Sequence, residues 1–159
     1  GHLVLSTLHT NDAPSAITRL LDLGVPGYLI KSTLIGVVAQ RLLRRLCPHC
    51  KKETGIDERR WAEVSGGSAL LPKPDQVFVP VGCLECRETG YLGRVGIYEI
   101  MPMSKTLNAV IGVDADLIVL REQALKEGMM PLRIAGCVKV AAGETSVEEV
   151  LGVAATSGG

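Results

Sequence analysis

Aromatic side chains are almost missing from this chain: one Trp, one Phe and three Tyr occur among 159 residues. Any core must therefore be built from Leu, Val, Ile and Ala, which the 47% hydrophobic fraction supplies amply. A surplus of charge is missing too, because 17 basic residues balance 17 acidic ones. Nucleic-acid-binding domains ordinarily carry a clustered basic excess, so that class is disfavoured. No apolar run approaches the ~20 residues of a membrane span, and no signal peptide opens the chain. An initiator Met is also absent: Gly1-His2-Leu3 leads straight into an apolar run. The chain reads as a piece of something longer, and its length suits one domain or one and a half small ones.

What is present is led by cysteine. Cys47-Pro48-His49-Cys50 and Cys83-Leu84-Glu85-Cys86 form two Cys-x-x-Cys knuckles. Four thiolates in two such pairs are the ligand set of a closed, structural, tetrahedral zinc site. The spacing predicts one Zn²⁺ on Cys47, Cys50, Cys83 and Cys86, with His49 pointing away. Two disulfides or a redox Cys-x-x-Cys are the competing readings, and the pairing of knuckles argues against both. Reduced, metal-bound cysteines fit a cytosolic setting. The segment between the knuckles is too long for a minimal ribbon and must carry structure of its own. Cys137 stands alone in an apolar helical pattern and reads as a small buried hydrophobe.

Along the chain, residues 3–8 form a short continuous apolar run, the pattern of an interior strand in a parallel sheet. His9-Thr10-Asn11-Asp12 is a polar turn at its end. Asp12 caps a helix over Ala13–Leu23, with Pro14 in the first turn and Gly24 and Pro26 as the stop. A second helix runs from about Pro26 to Gly36. Residues 37–46 fit either a continued helix or a strand. A helix over residues 57–64 and a strand near 77–79 follow, then a strand from Arg94 to Met101 behind a glycine-rich stretch. The remainder is helical: Lys105–Ile111 behind Ser104, a helix from Asp114 to Gly128 with Leu117, Leu120 and Leu125 inward, one from Pro131 to about Gly143, and one over Val147–Ala154. The last opens on a capping box at Thr145-Ser146-Val147-Glu148, and the tail from Thr156 should fray. Strand, polar turn and helix in this order is the layout of α/β nucleotide-binding folds, whose chemistry sits at that sheet edge.

Three blocks carry a resemblance. Gly1-His2-Leu3-Val4-Leu5-Ser6-Thr7-Leu8-His9-Thr10-Asn11-Asp12-Ala13 is similar to a family "His box"; Ala39-Gln40-Arg41-Leu42 runs into the four-cysteine module; Gly90-Tyr91 leads to Gly96-Ile97-Tyr98-Glu99. Together they resemble the C-terminal half of the type II secretion and type IV pilus assembly ATPases, from Gly1 to about Val153. Pilus-retraction ATPases share the His box but generally lack the cysteines, so the assembly or secretion branch fits better.

The resemblance implies an α/β fold: the C-terminal part of a RecA-like nucleotide-binding domain (residues 1–46 and 91–103) with an inserted zinc module (47–90) and a C-terminal helical subdomain (104–159). It implies a homo-hexameric ATPase, cytoplasmic and peripheral at the inner membrane without insertion, that acts on a membrane platform protein and other parts of a secretion or pilus machine, with no nucleic acid. His2 and His9 would be the two His-box histidines, with Thr7 and Asn11 as polar sensors beside them. A neutral imidazole there can donate to a phosphate oxygen or orient the attacking water. No Gly-x-x-x-x-Gly-Lys-Ser/Thr occurs in the chain, so no nucleotide-binding residue is assigned. ATP and Mg²⁺ belong to the intact protein, and the fragment alone is expected to be inactive. The rival reading is a stand-alone zinc-ribbon module that binds protein or RNA. A thiol–disulfide oxidoreductase would instead need one exposed, low-pKa knuckle.

Overall fold

A computed structural model describes residues 1–68, 71–112 and 115–154. The described residues are mixed α/β and divide into two packed units, Gly1–Ala39 with Glu99–Met129, and Gln40–Tyr98 with Met130 onward.

The first unit is mainly helical. Helix α1 (Ala13–Asp22) starts where Asp12 accepts the Ser15 N–H, with Pro14 buried in the first turn. Of the face that helical spacing predicts, Ala13, Ala16, Ile17, Leu20 and Leu21, the first three are buried and the two leucines are half-buried. Helix α2 (Gly27–Thr33) is shorter than expected and stops where Leu34 turns extended. Helix α4 (Lys105–Val110) is capped by Ser104. Helix α5 (Leu117–Lys126) is capped by Asp116. The expected start of that last helix at Asp114 lies outside the described residues, as does the tail from Thr156. Leu120 is buried as expected, but Leu125 is 41% exposed and Ala124 takes the inward place. The core closes with Ile30, Met101, Leu107 and Ile111.

Residues 3–8 are a correction. They form no strand, and Leu3, Val4 and Leu5 are 74%, 78% and 89% exposed. A strand exists only through paired N–H and C=O groups, and no strand among the described residues lies beside this run.

Two strands pass through both units. Strand β1 (Gly36–Leu46) resolves the ambiguity over residues 37–46, and it pairs with β4 (Tyr91–Pro102). In the second unit, β2 (Lys52–Thr54) and β3 (Val77–Val79) pair antiparallel, with Glu53 opposite Phe78. Helix α3 (Glu58–Ser65) is capped by Asp57 and ends at Gly66 in the left-handed region. It packs with α6 (Leu132–Ala141) and α7 (Val147–Val153). Gly136 lets α6 and α7 approach closely, because a Cβ there would sit 2.9 Å from Val150 Cγ1. Cys137 is buried, as expected. The capping box is shifted by one residue: Ser146 is the cap and accepts the Glu149 N–H. The Glu149 carboxylate bonds Arg44 rather than the cap backbone, and Thr145 donates to the Arg44 carbonyl.

Candidate functional site

Each cysteine knuckle is shaped by its own backbone. The second contains a single 3₁₀ turn, Leu84–Cys86, in which the Cys86 N–H reaches the Cys83 side chain and the Cys83 N–H reaches Cys86 Sγ at 3.2 Å. Arg87 and Glu88 then adopt left-handed φ values of 54° and 61°, which turns the chain back. Gly90, at φ 74°, thereby aims its N–H at Cys86 Sγ at 3.2 Å. A side chain at Gly90 would collide with Pro80. The first knuckle is tied to the second: Cys47 N–H donates to the Gly90 carbonyl, and Gly82 N–H donates to Cys50 Sγ at 3.3 Å.

The outcome is one cluster. The sulfurs of Cys47, Cys50, Cys83 and Cys86 all lie within 4.8 Å of one another. Cys47 and Cys83 are 3.9 Å apart at sulfur, Cys50 and Cys86 3.8 Å, and Cys83 and Cys86 3.7 Å. Four thiolates at ~2.3 Å from a tetrahedral ion stand about 3.8 Å from each other. A disulfide would need ~2.05 Å. The residues present therefore fit a closed four-sulfur metal site and do not fit disulfides. All five cysteines are free thiols. His49 is exposed and outside the cluster, as expected.

Charge is distributed unevenly over the sulfurs. Burial opposes the Cys86 thiolate, but the Cys83 and Gly90 N–H groups outweigh it and pull the pKa down to about 6. At Cys83 the Cys86 N–H lowers the pKa, but desolvation and the neighbouring sulfurs push it up to about 11. Burial likewise raises Cys50. Raised thiols such as Cys50 and Cys83, beside other sulfurs, are the condition a bound dication would relieve.

The expected histidines are placed differently. His2, Thr7, His9 and Asn11 all lie in the exposed segment ahead of α1. No element gathers His2 with His9. The segment is anchored at its far end. Thr10 Oγ1 donates to the Asp12 carbonyl at 3.2 Å, and the Asp12 side chain is buried against Arg121 Nη2 at 2.5 Å. Burial opposes ionisation of Asp12, but its bonds from Ser15 and the Arg121 charge outweigh this and hold its pKa below the usual carboxylate value. Ala13 N–H donates to Glu99 Oε2 at 2.7 Å. Sequence reasoning overlooked Glu99 and Arg121. Glu99 left one trace, an acidic residue between Tyr98 and Ile100 in a strand whose alternation turns it inward. Arg121 left none.

Lys51, directly after the first knuckle, was also overlooked. Its Nζ donates to the Gly143 carbonyl at 2.7 Å and lies 4.5 Å from the Phe78 ring centroid. It thus joins the flank of the cysteine cluster to the end of α6.

The described helices include none long and apolar enough to cross a membrane. Residues 1–152 match the family model of the type II/IV secretion system protein. A type IV pilus assembly ATPase, TfpB, of Acinetobacter baylyi is 53% identical over 96% of this chain and 26% of its own length. A type IV pilus assembly ATPase, PilB, of Myxococcus xanthus is 44% identical over 96% of the chain and 27% of its own. The type II secretion system protein E of Aeromonas hydrophila is 42% identical over 96% of the chain and 30% of its own. The chain thus spans less than a third of each of these relatives. Its match extends through both the His-box segment and the four cysteines, and the chain belongs to the type II/IV secretion system protein family.

Proposed function

We propose that this chain is the His-box and tetracysteine part of a cytoplasmic motor ATPase that drives type II secretion or type IV pilus assembly. The observation that carries the reading is the similarity, over 96% of the chain, to proteins named as pilus assembly ATPases. In this reading the intact protein is a homo-hexamer with a RecA-like core, peripheral at the inner membrane, and works on a platform protein of the secretion or pilus machine. A stand-alone zinc-ribbon module has no account of a family match that begins at residue 1, far from the cysteines.

The division of labour follows from the residues. Cys47, Cys50, Cys83 and Cys86 would hold a Zn²⁺ that closes the two knuckles and leaves no open position for chemistry. His9 and His2 would serve the reaction, with Thr7 and Asn11 as polar neighbours. His9, nearest the anchored end, would act as a neutral donor to a phosphate oxygen or to the attacking water. The phosphate cradle, its lysine and the Mg²⁺ ligands come from elsewhere in the intact protein, so this chain alone should not hydrolyse ATP.

The test is His9→Ala in the intact hexamer. Turnover should fall about ten- to a thousandfold, the range for losing one oriented donor. Nucleotide affinity should hold, because other residues supply it. A wild-type rate in His9→Ala would remove the histidine from the reaction.

A further inference from the structure

The start of α1 is built more heavily than a helix start requires. Helices α3, α4 and α5 each begin on one side chain, with Asp57, Ser104 and Asp116 accepting a single backbone N–H apiece, and α7, like α1, adds a distant ion pair, Glu149 to Arg44, at its first turn. One such cap is sufficient for a helix N-terminus. At α1 the same job is done by Asp12 Oδ1, which accepts the Ser15 N–H at 2.9 Å. Two further groups converge there. Arg121 Nη2 of α5 binds the second oxygen, Asp12 Oδ2. Glu99 Oε2 of β4 accepts the Ala13 N–H in a buried bond. These partners stand 109 and 86 residues away in sequence. Burying two carboxylates, Asp12 and Glu99, against a half-buried guanidinium carries a desolvation cost that simple capping does not demand.

What the extra groups add is direction. A single cap leaves the preceding chain free to swing about the helix axis. With both Asp12 oxygens and the first helical N–H committed to three different elements of the first unit, the backbone leaving Asp12 is fixed in orientation. Thr10 Oγ1 on the Asp12 carbonyl carries that constraint to the residue next to His9. The helix dipole favours carboxylates at this end, so the arrangement is electrostatically consistent.

We propose that Arg121 and Glu99 are positioning residues for the reaction: they clamp Asp12 and Ala13 so that His9 is presented in one orientation. The inference rests on the proposal that His9 serves ATP hydrolysis. It predicts a loss in turnover without a loss in substrate binding, since misplacement of a catalytic group by about 1 Å can cost about a hundredfold.

The experiment uses the intact ATPase, with steady-state kcat and KM for ATP measured in Arg121→Met, Arg121→Lys, Asp12→Asn and Glu99→Gln, alone and combined with His9→Ala. Arg121→Met should lower kcat about ten- to a hundredfold with KM within about twofold. Arg121→Lys should recover much of it, because a cation is restored with different geometry. Arg121→Met added to His9→Ala should slow the enzyme no further, because both changes remove one function. Asp12→Asn keeps the Ser15 cap and loses the charge, so it reports on the clamp even where Arg121→Met fails to assemble; it and Glu99→Gln should also lower kcat with KM held. A slow His9→Ala beside wild-type kcat in Arg121→Met and Asp12→Asn would overturn this inference and leave the functional reading intact, as would additive effects in the double variant. A wild-type rate in His9→Ala itself would overturn both.

Discussion

In the second unit, residues far apart in sequence are joined by polar ties at many points. Leu46 N–H donates to the Glu144 carbonyl, Arg44 binds Glu149 through both backbone and guanidinium, and Arg133 caps the end of α3 on the Glu63 and Val64 carbonyls. Tyr91 lies under the Arg44 guanidinium at 4.1 Å and shares a hydrogen bond with Ser146. In the first unit the core is apolar, and its buried carboxylates among the described residues, Asp12 and Glu99, gather at one place with the half-buried Arg121 beside Asp12. Ahead of that place eleven residues carry no helix or strand. The difference separates two kinds of recognisable sequence. The cysteine block builds its own surroundings, whereas the His box is a chemical segment whose geometry is set by residues outside it.

Metal removal should set the two units apart most sharply. With a strong chelator, or in Cys83→Ser, amide protection should collapse in β2, β3 and the knuckles and weaken in α6 and α7 through Lys51. Helices α1, α2, α4 and α5 should keep theirs. Site formation and folding are coupled when a metal ties distant segments together. Hydrogen exchange read by mass spectrometry separates the units. Equal loss in both, or no loss in the second, would contradict the distinction.

A smaller effect comes from acid. Burial opposes the Glu149 carboxylate, but Arg44 outweighs it and lowers the pKa. A carboxylate depressed in the folded state adds stability above its unfolded pKa of about 4.3. That stability is lost as the pH falls through the lower folded value. Glu149→Gln should therefore narrow the stability gap between neutral pH and about pH 3, by an amount on the order of 1 kcal/mol, a typical hydrogen-bonded contribution. Denaturant melts of the metal-loaded chain at both pH values give this gap. An unchanged gap would assign the acid sensitivity to other groups, Asp12 first among them.

The local features were legible in the sequence. Asp12 with Pro14 marked the start of α1, and two short cysteine spacings marked the four-cysteine cluster, because each knuckle depends on neighbours along the chain. Residues 37–46 were not, for a physical reason. Leu34, Val38, Leu42 and Leu46 recur every four residues, which suits a helix face and equally one side of a strand. Pairing with β4 decides for the strand, and Ala39 and Leu43 turn inward while Val38 and Leu42 face out. The alternation then slips at Arg44 and Arg45, where both residues are exposed. The apolar run at residues 3–8 misled in the opposite sense. Its pattern describes what a strand would bury, and pattern alone cannot supply the neighbour that makes a strand. Glu99 and Arg121 were illegible because a clamp across 86 and 109 residues leaves no local periodicity.

We propose that the second unit is organised around one metal ion held by the four clustered thiolates. Native mass spectrometry of the chain, purified without chelator, tests it directly and is read beside thiol alkylation. One zinc per chain is expected, with Cys47, Cys50, Cys83 and Cys86 protected from alkylation until the metal is removed. A metal-free chain with all four thiols freely reactive, or one with disulfides between the knuckles, would contradict it.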